Sequence, residues 1–441
     1  MYSYKDIWRV SLPIMLGLLA QNIMQIVNTL FLRQIGSVEF TASNIAGIYY
    51  IAFFMLAFGF SVGAQIMISR RNGEGNHFRI GSIVIQGMLF LEVLAMVLFG
   101  LSSYFSAHML PLIIKSPEVC AAAEHYLEWR MYGFFISFIN VMFRSFYVGI
   151  ARTSVLTINA VIMATVNIVL DYVLILGNFG FPSMGIAGAG IASLSAEVAS
   201  VIFFLIYTYK TVDLRKYGFH RMRFDFRIVK NILNISVFTM VQYTLSLSTW
   251  FIFFVAIENH GLRDADIATT IRVFYMVFFI PMNALATTAN TLVGNTMGLG
   301  KIDDVIPLIK KVCKLMLAVI VAMMAVTIIM PEYWISLIMT SSDMQLVRDA
   351  VPALLVVVFA LPFCGLGSVV FNSISGTGNT RTALAFEIVT LFLYMFGVWL
   401  IVIEWKAPVA ACWAVEYIYW GFLFLFSVLY LKFGKWQLKK V

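Results

Sequence analysis

The feature that most constrains this chain is the recurrence of long apolar segments. A helix of about 20 apolar residues crosses roughly 30 Å of hydrocarbon, and segments of that kind recur along all 441 residues. Residues of the AVILMFWYC set make up 61% of the sequence and charged residues only 12%. That is too little charge to cover the surface of a soluble domain of this length. We therefore predict an all-α polytopic membrane protein.

The apolar segments predict twelve transmembrane helices, because a backbone in lipid must satisfy its own hydrogen bonds. The first segment is expected to be a retained helix, since MYSYKDIWRV lacks the basic region and cleavage site of a signal peptide. The predicted spans are residues 10–32, 43–67, 80–103, 126–150, 154–176, 185–209, 231–257, 268–296, 312–331, 350–374, 382–404 and 408–431.

The cysteines do not suggest a metal or redox centre. All four are isolated in sequence, without a CxxC pair or a neighbouring histidine (Cys120, Cys313, Cys364 and Cys412). We interpret them as small packing residues and expect no bound cofactor.

The basic residues predict the orientation in the membrane. If the N-terminus is inside, 23 of the 30 Lys and Arg lie on the inner side, as the positive-inside rule requires. Both termini are then cytoplasmic, and the net charge of +8 reflects a basic inner face rather than nucleic-acid binding. The other seven are Arg33, Lys115, Arg130, Arg263, Arg272, Arg348 and Lys406.

A weak internal repeat divides the chain into two predicted six-helix lobes, residues 1–215 and 216–441. The connection Lys210–Lys230 follows the sixth span and carries seven basic residues. Gly73–Asn76 and Gly298–Lys301 are glycine-containing turns separated by 225 residues, and Gly149–Thr153 and Gly376–Thr380 are separated by 227. Parallel repeats of this kind occur in secondary transporters that work by alternating access.

Polar residues within spans five and six predict a cation site. Asn167 and Asp171 lie one helical turn apart, and Ser193 and Glu197 repeat that spacing on the next helix. The short turn between these spans makes them antiparallel neighbours, and Asn28 on span one lies at a similar depth. Carboxylate, amide and hydroxyl oxygens suit Na⁺ or a transferred proton. Alternatively, these groups only hydrogen-bond neighbouring helices together.

Four further residues have open interpretations. Glu416 lies near the repeat equivalent of Ser193, and Glu387 lies near the inner end of span eleven. Each is either a second coupling group or one half of a structural pair. Trp250 and Tyr243 either stack on an aromatic or cationic substrate or pack in the core.

The sequence resembles the multidrug and toxic compound extrusion (MATE) family of antiporters over essentially the whole chain. Val62-Gly63-Ala64-Gln65, followed by Gly73-Glu74-Gly75-Asn76, resembles the family pattern after helix two. The more specific stretch is Asn167–Gly177 continuing through Gly185–Ser193. The resemblance implies export of small organic molecules, driven by inward Na⁺ or H⁺. It also implies a location in the bacterial inner membrane and a cation site, a candidate Na⁺ site, that matches Asn167 and Asp171. We expect a monomer.

Two positions depart from the family pattern. Asn28 stands where the family usually has Asp, and Glu197 stands where a neutral polar residue is common. We hypothesise that the acid of helix one has moved to helix six. Ser193 replaces the usual Thr, and Gln242 lies near the place of the helix-seven acid of another branch.

Three other functions fit the sequence less well. A flippase for a lipid-linked precursor is the alternative reading, although the span interiors hold few basic residues to bind a pyrophosphate. An intramembrane enzyme is not expected, since the five His lie in loops or at helix edges and no DDxxD motif occurs. A scaffold would not require carboxylates on two facing helices.

Overall fold

The computed structural model describes residues 2–220, 225–339 and 344–438; the regular elements in these ranges are all helices, and no β-strand occurs among them. The chain divides into two compact units. The N-terminal unit is Leu12–Met240, and the C-terminal unit combines Met1–Ser11 with Val241–Val441. The predicted lobes 1–215 and 216–441 stay a prediction. Four basic residues used for the orientation lie outside the described residues: Arg221, Arg223, Lys439 and Lys440.

The N-terminal unit contains most of the first seven helices. These are α1 (Tyr4–Ile35), α2 (Ser37–Gly73), α3 (Phe78–Ile113), α4 (Pro117–Arg130), α5 (Gly133–Gly149), α6 (Ser154–Leu170) and α7 (Gly185–Thr211). A π-helical segment, Asp171–Ile175, continues directly from α6. Helix α8 (Phe226–Glu258) begins in this unit and ends in the other.

The C-terminal unit contains the remaining helices. These are α9 (Leu262–Gly298), α10 (Val305–Ile329), α11 (Pro331–Ile338), α12 (Met344–Gly376), α13 (Thr380–Gly397), α14 (Val409–Cys412) and α15 (Val415–Phe433). A second π-helical segment, Val398–Glu404, continues from α13. Short 3₁₀ turns occur at Ile302–Asp304 and Trp436–Leu438.

The number of membrane-crossing helices agrees with the prediction. Among the described residues, 11 helices are long and apolar enough to span a membrane, and the number is 12 when α4 and α5 count as one broken span. The predicted span 126–150 differs in shape, because α4 and α5 meet at a bend of 53°. Helix α4 also starts earlier than predicted, where Ser116 Oγ accepts a hydrogen bond from the backbone of Val119 at 3.5 Å and Pro117 occupies the first turn.

The outward faces of the helices are apolar. Helix α1 exposes a stripe of leucine and isoleucine at three- and four-residue intervals, which is one face of a helix. In water such a stripe would be unfavourable, whereas lipid solvates it as well as a protein core does. The stripe comprises Leu12, Leu16, Leu19, Ile23, Ile26 and Leu30.

The helix bounds reproduce the internal repeat. Helices α2 and α9 are both 37 residues long, and their ends are displaced by 225 residues. The two π-helical segments begin at Asp171 and Val398, a displacement of 227. The same irregularity therefore occurs at the same point of each repeat.

Candidate functional site

Asp171 lies where α6 changes from an α-helix to a π-helix. Its backbone N–H still bonds to the carbonyl oxygens of Asn167 and Ile168, and the π-helical segment Asp171–Ile175 begins at this residue. The side chain is fully buried, and its Oδ1 has no hydrogen-bond partner among the described residues. Irregular turns of this kind are frequent at functional sites. A buried carboxylate oxygen without a donor is costly, so it calls for a ligand or a proton.

Asn167 connects this carboxylate to the next helix. With its amide assigned to satisfy both neighbours, Nδ2 donates to Asp171 Oδ2 at 3.1 Å, and Oδ1 accepts from the backbone N–H of Ser193 at 3.3 Å. Asn167 is fully buried and Ser193 is buried. The predicted proximity of Asn167, Asp171 and Ser193 is thus present in the fold.

Tight backbone packing keeps α7 against the π-helical segment. Met184 donates its backbone N–H to the carbonyl of Leu174 at 2.8 Å. A Cβ at Gly188 would lie 2.8 Å from the backbone carbonyl of Leu174, so only glycine allows this approach. The two helices run antiparallel, as the short turn between them predicts.

Asn28 lies on a helix that runs parallel to α6. Gly17 of α1 faces Leu156, and Phe31 lies 6.3 Å from the Tyr172 ring, so the register places Asn28 at the level of Asn167 and Asp171. Asn28 Oδ1 is buried and has no partner within the described part of the chain. The structure therefore brings Asn28 to the right level without a hydrogen bond to Asp171.

Glu197 has a different environment from Asp171, because it is paired with an arginine. Its Oε1 accepts from Arg130 Nη1 at 2.9 Å, and the Arg130 guanidinium carbon lies 3.7 Å from the centre of the Tyr50 ring. Arg130 is the last residue of α4, so the bend before α5 directs it towards α7. Gly133 leaves room there, since a Cβ on it would lie 2.9 Å from Glu197 Oε2. The charge of Glu197 is therefore compensated within its own unit.

A hydroxyl–amide network holds the helices around this ion pair. Asn140 Nδ2 donates to the backbone carbonyl of Glu197 at 3.2 Å. Ser200 Oγ lies 2.8 Å from both Asn140 Oδ1 and Asn159 Oδ1 and can donate to one of them at a time. These contacts tie α5 and α6 to α7, which fixes the helix that carries Ser193.

The Asp171 site has the chemistry of a monovalent cation or proton site. When Asn167 turns its Nδ2 to the carboxylate, the charge of Asp171 is partly satisfied. When it turns its Oδ1 instead, two oxygens face each other, and only a proton on Asp171 or a cation between them makes that arrangement favourable. The amide orientation can thus follow the occupancy of the site. Within the described ranges, no group of three His, Cys, Asp or Glu forms a metal cluster.

In the C-terminal unit, Glu416 is surrounded by neutral donors. Its Oε2 accepts from Tyr275 Oη at 2.5 Å and from Trp420 Nε1 at 3.1 Å. Its Oε1 accepts from Tyr394 Oη at 3.4 Å. Glu387 lies on α13 and accepts from Ser246 and Tyr419. Both glutamates are buried, and their predicted coupling role stays a prediction.

The two aromatic residues named as substrate contacts lie on α8. Trp250 makes an edge contact with Phe254 at 4.6 Å, and Phe254 in turn contacts Trp413 at 5.9 Å. Trp250 is therefore part of an aromatic cluster, and Tyr243 is partly buried on the same helix. A role in substrate binding stays a prediction for both residues.

Sequence reasoning did not anticipate Arg130 or Tyr50 as neighbours of Glu197. The sequence indicates only that Arg130 lies near an outer helix end. Tyr50 has a repeat counterpart in Tyr275, 225 residues further on, but this spacing does not indicate which residues either tyrosine contacts.

Together, the fold and this site define a polytopic helical membrane protein with a buried carboxylate beside an amide. The family model MatE matches residues 13–173 and again 236–400. The chain belongs to the MatE family, and the double match agrees with the internal repeat.

Curated relatives are distant in sequence. The chain is 24% identical over 311 residues to the probable multidrug resistance protein NorM of Agrobacterium fabrum, covering 67% of this chain and 64% of that protein. This match thus spans slightly less than two thirds of the relative. This chain is also 22% identical to the probable multidrug resistance protein NorM of Thermotoga maritima, over 99% of this chain and 94% of that protein.

Solved structures share the fold. One is an outward-facing multidrug resistance MATE family transporter of the MOP superfamily, with a TM-score of 0.88 and 17% identity over 99% of this chain and 97% of that one. Another is a MOP superfamily transporter from Pyrococcus furiosus, with a TM-score of 0.87 and 17% identity over 98% and 95% of the two chains.

Proposed function

We propose that this protein exports small organic compounds by antiport with H⁺ or Na⁺, and that Asp171 carries the coupling ion. The family membership and the relatives named as multidrug resistance proteins support export of small molecules rather than an enzymatic function. The observation that carries the coupling role is the buried Asp171 Oδ1, which has no partner among the described residues. The protein would act as a monomer in the inner membrane with both termini cytoplasmic.

The mechanism follows from the charge of this one carboxylate. When Asp171 binds a proton or Na⁺, its charge is neutralised, and Asn167 can turn its Oδ1 towards the bound ion. When the ion leaves, the amide Nδ2 returns to the carboxylate at 3.1 Å. The same turn moves the Asn167 oxygen away from the Ser193 N–H, so the hydrogen bond to α7 is lost while the ion is bound and regained when it leaves. A change at Asp171 is thereby passed to α7. Alternating access requires such a local change that favours one conformation over the other.

Asp171 is a better candidate than Glu197 because Glu197 is already paired. The Arg130 guanidinium lies 2.9 Å from Glu197 Oε1, so a second cation there would face an existing positive charge. The hypothesis that Glu197 replaces the acid of helix one stays a prediction. It fails if Glu197→Gln leaves transport and its ion dependence intact.

The test is efflux of a fluorescent organic cation from proteoliposomes under separately imposed Na⁺ and H⁺ gradients. Wild type should respond to one of the two gradients, which names the ion, and Asp171→Asn should lose at least 90% of gradient-driven efflux. Asp266→Asn is the matched control, because it makes the same chemical change at an exposed position. Efflux that needs neither gradient, or that survives Asp171→Asn, would contradict the proposal.

The flippase alternative is weakened by the same ion pair. A pyrophosphate-binding cleft needs basic side chains that are available, whereas Arg130 is neutralised by Glu197. Rescue of a flippase-deficient strain by this gene would restore that alternative.

A further inference from the structure

Glu387 is a fully buried acid with an asymmetric set of hydrogen bonds. It lies on α13, and its Oε1 accepts from Ser246 Oγ on α8 at 2.6 Å and from Tyr419 Oη on α15 at 2.7 Å. Ser246 Oγ also lies 2.9 Å from the backbone carbonyl oxygen of Gln242 and donates its one hydrogen to one of the two at a time. Its Oε2 has no hydrogen-bond partner in the described part of the chain. All the donors are therefore directed at one oxygen.

This asymmetry distinguishes Glu387 from Glu416, where donors reach both oxygens. A carboxylate anion shares its charge over two equivalent oxygens and attracts donors to both. A carboxylic acid has one carbonyl oxygen that accepts strongly and one hydroxyl that must donate. The surroundings of Glu387 match the acid, with Oε1 as the carbonyl and Oε2 as the hydroxyl.

Acceptors for such a hydroxyl lie on the facing surfaces of two helices. Gln242 is one turn before Ser246, so both lie on the same face of α8. Thr390 is one turn after Glu387, so both lie on the same face of α13. Gln242 Oε1 and Thr390 Oγ1 are both buried and have no partner among the residues that the structure describes. Protonation of Oε2 gives Glu387 a donor that either of these two oxygens can accept, one at a time.

We propose that Glu387 binds and releases a proton at Oε2, as a second ion site separate from Asp171. Protonation adds H⁺ to the carboxylate and gives a neutral acid, and release returns the same proton to the aqueous phase. The role of this site in transport rests on the proposed antiport function, whereas proton binding itself does not.

The neighbouring groups favour a proton over Na⁺. Sodium needs several oxygen lone pairs directed at one point, but Ser246 and Tyr419 direct their hydrogens at Oε1. The titratable groups nearby are Tyr419 and Glu416 on α15 and Tyr394 on α13. Tyr275 on α9 and Cys364 on α12 lie on the Glu416 side of the network. From α8, the facing Gln242 and Ser246 are not ionisable.

Infrared difference spectroscopy of the full chain in bilayers, recorded between acid and alkaline pH, tests this site. All variants are made in the Asp171→Asn protein, because this substitution removes the carboxyl band of the Asp171 site. We expect a carboxylic-acid C=O band that is lost in Glu387→Gln and kept in Glu416→Gln. Ser427→Ala is a further control, since Ser427 is buried on α15 and its Oγ has no hydrogen-bond partner among the described residues. A band that persists in Glu387→Gln would overturn the proposal.

Two conservative variants keep the test decisive if Glu387→Gln does not fold. Tyr419→Phe and Ser246→Ala retain the acid but remove a donor to Oε1, so each should shift the C=O band to higher frequency. An unshifted band in both would overturn the proposal. The two proposals fail separately. If Asp171→Asn does not change efflux, the antiport proposal fails, but the Glu387 band can still be present. If the Glu387 band is absent, proton binding at Glu387 fails, but efflux can still depend on Asp171.

Discussion

Glu197 and Glu416 allow the two halves of the chain to be compared. Each lies beyond the π-helical segment of its repeat, Glu197 on α7 and Glu416 on α15. Each also has a tyrosine in its cluster at equivalent repeat positions, Tyr50 and Tyr275. Around Glu197, an arginine compensates the charge, and the tyrosine ring supports that arginine. Around Glu416, the tyrosine donates directly to the carboxylate, together with a tryptophan and a second tyrosine.

The first residues of the two π-helical segments also differ in charge. Asp171 occupies this position in the first half, and Val398, fully buried, occupies it in the second. Both repeats therefore have the backbone irregularity, while an acidic side chain stands at its first position only in the first repeat. The repeated scaffold positions a site, and the individual residues decide whether it carries charge.

The largest expected effect comes from breaking the ion pair of the N-terminal unit. Arg130→Gln leaves Glu197 buried without a countercharge, and losses of this kind cost about 3–5 kcal/mol of folding free energy. Unfolding of the purified protein in SDS–detergent mixtures, followed by tryptophan fluorescence, measures the change.

The double variant Arg130→Gln with Glu197→Gln serves as the control for that experiment. Two neutral amides can hydrogen-bond to each other, so at least half of the lost free energy of unfolding should return. An Arg130→Gln protein as stable as wild type would show that the 2.9 Å contact does not compensate Glu197.

In the C-terminal unit the next largest effect should come from Tyr275→Phe. This variant removes the donor 2.5 Å from Glu416 Oε2 and the acceptor of Trp420 Nε1 at 3.1 Å. Hydrogen bonds to charged groups contribute about 1.5–3 kcal/mol each, so we expect a loss of roughly that size. The same unfolding assay measures it, and Tyr430→Phe, at a partly buried position near the end of α15, is the control. Equal stability of Tyr275→Phe and wild type would mean that Glu416 does not depend on this donor.

Much of the fold could be predicted from the sequence because lipid imposes a simple rule on helices. Apolar runs of sufficient length identify the spans, and the offsets of 225 and 227 residues identify the repeat. The bend between α4 and α5 could not be predicted, since no proline lies at Met131 or Tyr132. It depends on packing against α2 and α7, which composition does not encode.

The candidate site, too, could be predicted from the sequence only in part. Asn167, Asp171 and Ser193 could be placed together because helical spacing and a short turn suffice. The partner of Glu197 could not be found, since Arg130 is 67 residues away in sequence and meets it through the packing of α4 against α7. Likewise, the π-helical start at Asp171 is a local change of hydrogen bonding that leaves the apolar pattern unaltered.

A matched pair of glycine substitutions sharpens the comparison of the π-helical segments. In Gly188→Ala the new methyl group meets the Leu174 backbone at 2.8 Å, and backbone atoms cannot move aside easily. In Gly397→Ala it meets the flexible end of the Ile418 side chain at 2.8 Å instead. We expect Gly188→Ala to cost about 1–3 kcal/mol and Gly397→Ala clearly less. The unfolding assay ranks the two, and a reversed order would contradict the packing described for the first segment.

The smallest expected effect is that of Tyr50→Phe. The hydroxyl of Tyr50 is 3.0 Å from Ser137 Oγ, which also donates to the Gly133 carbonyl at 2.7 Å and therefore stays partly satisfied. The aromatic ring remains beneath Arg130, so the variant should lose only one neutral hydrogen bond, about 0.5–1.5 kcal/mol. Tyr50→Leu is the companion variant, because it also removes the ring and should be the less stable of the two. A Tyr50→Phe loss as large as that of Tyr275→Phe would mean that Tyr50, like its counterpart, supports a carboxylate directly, and the contrast between the two halves would not hold.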